Sequence, residues 1–206
     1  MDSFLTQFNA ISPIDWFEWL GMATGITGVW LSIKVRIGAW PFFILCYGCY
    51  VYLGLSGGLF AFAGMNISFI GISIYGWKQW SNASSKDASS ITITRTAPNH
   101  WIRIAIFLIT GTFIAGFLGN LLDGARLPYL DAFAACCGFT AQWMLGRKHI
   151  ETWIFWIIAD VIYLGLFLTT QNWPTVILFT IFIVLAIRGW VEWKPLLDKS
   201  MAQGTR

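Results

Sequence analysis

Seven apolar stretches, each about as long as a bilayer is thick, leave this chain very few possible folds. A helix needs about 20 mostly apolar residues to cross the hydrocarbon core, and in lipid only helices and closed barrels satisfy every backbone polar group. Stretches of that kind run over 16–33, 37–55, 57–80, 101–122, 129–147, 150–170 and 172–193. Short polar breaks separate most of them: Lys34–Arg36, Ser56-Gly57-Gly58, Asp123-Gly124, Arg147-Lys148-His149 and Gln171-Asn172. Charged residues are only 11% of the chain, against about 25% in a soluble domain, so lipid must solvate most of it. The expected fold class is all-α integral membrane with seven transmembrane helices.

Loop charge orients the spans. One set of loops carries Lys34 and Arg36, Lys86 and Arg95, Arg147 and Lys148, then Lys194, Lys199 and Arg206; the other carries Arg126. The N-terminus is therefore expected outside and the C-terminus in the cytoplasm of a multi-pass inner-membrane protein. No basic residue precedes the first span, so no cleavable signal peptide is expected. Tryptophans 16, 19, 77, 80, 101, 173, 190 and 193 fall near span ends, as an aromatic belt would. Residues 81–99 (SNASSKDASSITITRTAPN) read as a solvated linker.

Several activities lack residues. The net charge of +3 comes from short clusters, which does not suit a nucleic-acid partner. No GxxxxGK[ST], HExxH or GxSxG occurs, so no enzyme chemistry of those kinds is expected. Cys46, Cys49, Cys136 and Cys137 lie within apolar segments and read as small helix filler, with no metal or other cofactor expected. His100 and His149 sit at helix ends and read as interfacial.

A repeat underlies the spans. Gly138, Thr140 and Trp143 follow Gly25, Thr27 and Trp30 by 113 residues, and Trp153, Phe155, Tyr163 and Leu166 follow Trp40, Phe42, Tyr50 and Leu53 by the same step. The unit closes on Gly76-Trp77-x-x-Trp80 and again on Gly189-Trp190-x-x-Trp193. The organisation expected is an N-terminal segment 1–15, a three-helix bundle 16–80, a cytoplasmic loop 81–100, a linker helix 101–122, a second three-helix bundle 129–193 and a cytoplasmic tail 194–206. One linker span gives both copies the same topology, and parallel repeats are a transporter architecture.

Ionisable groups at membrane depth are costly and mostly functional. Asp160 lies halfway along the sixth span, with Trp153, Trp156 and Tyr163 at spacings that share its helix face. The repeat puts Trp40, Phe43, Tyr47 and Tyr50 at the matching positions of the second span. Two aromatic stripes with one carboxylate suit a flat aromatic cation; the alternative is aromatic core filling, with Asp160 bonded to a neighbour. Asn66, Ser73 and Gln142 are polar at depth, so they either bond a ligand or join helices. A single acid without a second acid or His chain points to facilitated diffusion. A non-transporting heptahelical sensor or membrane subunit is the competing class, and a signalling domain or long tail would mark it.

GAWPFFILCYGCYVY, SIYGWKQW, LPYLDAF and above all AQWMLGRKHIETWIFWIIADVIYLGLF resemble the Pnu family of vitamin transporters, over roughly residues 16–195. The resemblance implies two parallel three-helix bundles joined by one helix, as in the smaller SWEET sugar transporters. It also implies a homotrimer, facilitated uptake of a vitamin precursor such as nicotinamide riboside, and trapping by a cytosolic vitamin kinase. Trp153, Trp156 and Asp160 match the family's sixth-span motif. Asp160 stands where the nicotinamide riboside branch usually has Asn, Asn66 where it has Gln, and Ser73 where it has Asn. The stretches WPTVILF and VEWK look closer to the thiamine-transporting branch, so thiamine is the alternative substrate.

Overall fold

A computed structural model describes residues 13–57, 60–84, 92–121, 127–169, 171 and 173–204. Lys86, Asp123, Arg126, Arg206 and most of the N-terminal segment lie outside them. The described chain forms seven helices: α1 (Pro13–Ile33), α2 (Ala39–Ser56), α3 (Phe60–Ser84), α4 (Pro98–Asn120), α5 (Pro128–Gly146), α6 (Thr152–Thr169) and α7 (Trp173–Gly204). Among the described residues, four segments are by length and composition apolar enough to cross a membrane: Ala39–Ser56, Pro98–Asn120, Thr152–Thr169 and Thr175–Ala202. Pro98 and Pro128 open their helices, where a missing N–H costs nothing and φ is already set.

Helix α1 ends in a tight turn with Val35 at φ 51°, and α5 ends in one with Lys148 at φ 57°. The bonds match as well. Arg36 N–H reaches Leu31 O at 2.9 Å and Val35 N–H reaches Ser32 O at 3.0 Å; His149 N–H reaches Met144 O at 3.0 Å and Lys148 N–H reaches Leu145 O at 3.0 Å. Both are Schellman caps, with a side-chain-bearing residue where glycine is usual. Each turn delivers a tryptophan, Trp40 or Trp153, into the same end of the bundle.

There the core is built from four tryptophans. Trp40 meets Trp80 edge-on at 5.3 Å and 88°, and Trp153 meets Trp193 at 5.2 Å and 84°. A Cβ at Gly76 would run into the Trp40 ring, and one at Gly189 into the Trp153 ring. The GWxxW spacing explains this, since Gly and the second Trp are four apart and share a helix face. The indole N–H of Trp80 donates to Leu145 O at 3.2 Å, and that of Trp193 to Ile33 O at 3.0 Å. The C-terminal parts of α3 and α7 thus bond buried carbonyls in the last turns of α5 and α1. Gly146 lies 3.1 Å, by its would-be Cβ, from Gly76 Cα, so α3 and α5 cross in close contact.

The aromatic-belt expectation fails at Trp80 and Trp193, which are 3% and 0% exposed; edge contact with Trp40 and Trp153 and the indole bonds to Leu145 and Ile33 draw both inward. Trp16, Trp19, Trp77, Trp101 and Trp173 are exposed, as belt residues should be. Helix α7 also continues past 193 to Gly204, since Leu197 packs into the tryptophan cluster.

The linker is docked rather than solvated along residues 92–97. Ile93 is fully buried in the tryptophan cluster. Thr94 N–H donates to Lys148 O at 3.1 Å, and Ile150 N–H donates to Thr94 O at 3.0 Å. Glu151 accepts from both the amide and the hydroxyl of Thr96, at 3.1 and 2.9 Å. A polar-looking strap is held because its one isoleucine fills core space and its amides find partners.

Candidate functional site

From the tryptophan cluster, α2 carries a row of rings up the bundle. Phe43 stacks on Tyr47 at 6.3 Å, Tyr47 on Phe69 of α3 at 4.9 Å, and Phe69 on Phe139 of α5 at 4.5 Å, all within 21° of parallel. Trp156 of α6 closes on the same place, because Gly138 leaves room for both its ring and that of Phe69. Rings from four helices, spread over both halves of the sequence, converge on one locus.

Asp160 belongs to it. Its residue is 5% exposed, and it lies within electrostatic reach of Tyr47 from the other half and of Tyr163 on its own helix. Among the described residues no hydrogen-bond donor or cation engages its carboxylate. Tyr163 sits between Asp160 and Asp131, and its ring stacks on Phe179 of α7 at 5.2 Å. The alternative in which Asp160 bonds a neighbouring side chain is therefore not what the geometry displays.

The polar candidates divide. Gln142, fully buried, donates through Nε2 to Ser73 Oγ at 3.1 Å, which joins α5 to α3, while its Oε1 is buried without a partner. Ser73 itself donates to Phe69 O at 2.8 Å. Asn66, 3% exposed, donates to Phe62 O at 2.9 Å within its own helix. Trp40 and Trp153 are 0% and 1% exposed, walled in by Trp80, Trp193 and the two glycines, and both indole N–H groups are buried unpartnered. They form the floor of the locus rather than its open wall.

Phe69 and Phe139 were not among the sequence candidates. Phe69 lies three residues after Asn66 and four before Ser73, and Phe139 three before Gln142, so helix periodicity could have found both. The four cysteines are free and buried. Lys34 pairs with Glu192 at 2.8 Å and Arg188 with the same carboxylate at 2.9 Å, a contact between the end of α1 and the interior of α7.

An all-helical membrane protein with a buried carboxylate among converging rings has the form of a transporter for a small aromatic solute. The model of the nicotinamide mononucleotide transporter family matches residues 15–195, and the chain belongs to that family. It is a membrane transporter and not an enzyme. Relatives are named nicotinamide riboside transporter PnuC. That of Escherichia coli is 20% identical, over 94% of this chain and 90% of its own length. That of Neisseria mucosa is 18% identical, over 93% and 77%, and that of Haemophilus influenzae 22%, over 89% and 82%. The crystal structure of the vitamin B3 transporter PnuC has the same fold, with a TM-score of 0.72 at 18% identity, over 96% of this chain and 87% of that one.

Proposed function

We propose that this protein carries nicotinamide riboside across the inner membrane by facilitated diffusion. The observation that carries the reading is Asp160, a nearly enclosed carboxylate with no donor or cation on it among the described residues. Burying an unpaired carboxylate is costly, and a pyridinium ring set beside it and between aromatic faces offsets that cost. Tyr47, Trp156, Tyr163 and Phe43 supply the faces, with Trp40 and Trp153 beneath them. The free Oε1 of Gln142 and the amide of Asn66 are the groups for ribose hydroxyls and the carboxamide. The names of the relatives support the substrate.

The architecture that goes with this reading is seven spans, N-terminus outside and C-terminus in the cytoplasm, as two parallel three-helix bundles joined by α4. The matched turns at Val35 and Lys148 and the matched tryptophan pairs support it. Assembly as a homotrimer and trapping by a cytosolic kinase complete the scheme.

Tryptophan fluorescence of the purified protein, titrated with nicotinamide riboside, thiamine and riboflavin, tests the substrate. Saturable quenching by nicotinamide riboside is expected; quenching by thiamine alone would move the chain to the thiamine branch, and none at all would refute the site. Uptake into liposomes should ignore imposed proton and sodium gradients. A response to either would defeat facilitated diffusion.

A further inference from the structure

A cavity of about 580 Å³ lies between α3, α4 and α5 and is lined by Phe139, whose ring also stacks on Phe69 of the ring ladder. Its interior is apolar, lined by Ile72, Ile104, Phe107 and Ala115, and its mouth carries Arg103, Arg147 and His100. Because α4 begins where α5 ends, the early residues of one and the last of the other share one end of the groove. No carboxylate lines it, and among the described residues neither arginine is in an ion pair. Arg147 is held in place by the Tyr75 hydroxyl at 3.2 Å and by the face of Trp143 at 4.9 Å. His100 meets the same Trp143 edge-on at 5.7 Å.

We propose that this groove binds an anionic phospholipid, its headgroup on Arg103 and Arg147 and one acyl chain along Phe107 and Ala115. Depth favours a lipid over a second protein helix. From Arg103 to Ala115 the groove follows α4 for about 18 Å at 1.5 Å per residue, close to one leaflet of a hydrocarbon core about 30 Å thick. A partner helix would need a seam across the whole membrane. Charge favours an anionic headgroup over a zwitterionic one, since two guanidiniums without carboxylates are electrostatically unanswered. Trp143, amphipathic and set between the basic mouth and the apolar interior, is the kind of residue that sits at headgroup level.

The test is lipid retention by the full chain in native mass spectrometry, with palmitoyl-oleoyl phosphatidylglycerol and phosphatidylcholine supplied together. Two arginines at the membrane surface should favour the anionic lipid by about 30-fold. Arg103→Gln should cut that preference roughly fivefold, and Arg103→Gln with Arg147→Gln should abolish it. Nicotinamide riboside quenching by the Arg103→Gln protein shows that it is folded. Equal retention of both lipids, a preference that survives the double variant, or occupancy of the same arginines by inorganic phosphate alone would overturn the proposal. Retention of neither lipid, as when a neighbouring copy covers the groove, would overturn it too.

Discussion

Alanine at Gly76 should separate packing from helix propensity by sign. The new Cβ has no room, because the Trp40 ring already occupies that space. Trp40 cannot step aside, being fully buried and braced by Trp80 at 5.3 Å. Forcing a methyl into a packed core costs about 1–3 kcal/mol, and replacing glycine within a helix returns about 0.5–1 kcal/mol. The net expectation is a loss of about 1–2 kcal/mol. In a chain of this size each kcal/mol moves Tm by about 2–4 °C, so the midpoint should fall by roughly 3–6 °C in detergent. Gly71 is the control, on the same helix with nothing within 4 Å of its would-be Cβ; Gly71→Ala should raise Tm slightly. Adding Trp40→Phe to Gly76→Ala should recover part of the loss, giving a coupling of about 0.5 kcal/mol or more. If Gly76→Ala stabilises as Gly71→Ala does, the tryptophan-in-glycine packing is wrong.

Asp160→Asn should weaken nicotinamide riboside about tenfold, as for losing one charge-assisted contact of about 1.5 kcal/mol, and leave Tm unchanged or higher; unaltered affinity would make Asp160 structural. Glu151→Ala removes both bonds to Thr96 and leaves a buried N–H unpaired, about 2–3 kcal/mol of strap docking, so tryptic cleavage after exposed Arg95 should quicken by about 30-fold or more. An unchanged cleavage rate would show that Glu151 does not hold the strap. Burial holds the His149 ring below its usual 6.5, with Glu151 opposing and Arg147 and His100 reinforcing the shift. A group lowered in this way lets the unfolded chain bind more protons, so its stabilisation is complete above pH 6.5 and lost as pH falls through the lower folded value. Wild-type Tm should therefore drop more between pH 7 and 5 than that of His149→Asn, and equal slopes would refute the assignment.

Apolar length fixes helices in lipid because no backbone group can be left unpaired there, so all seven elements were legible as helices before any contact was known, and among the described residues four segments are long and apolar enough to cross a membrane. The 113-residue step was legible too, since like residues must recur where like contacts are made. Asp160 stood out because a carboxylate at depth is expensive. Which rings pack together across helices was not legible. Phe69 and Phe139 come from α3 and α5, and a stripe on one helix carries no record of what faces it. Periodicity gave Trp153 and Trp156 the same face, yet packing enclosed one against Gly189 and left the other beside Gly138. Trp80 and Trp193 looked like interfacial anchors, and only the rings of Trp40 and Trp153 and the carbonyls of Leu145 and Ile33, all on other helices, hold them inward. The strap looked solvated because five of its six residues are polar or small; the cavity that takes Ile93 is assembled from both halves of the chain, and sequence order cannot display a cavity.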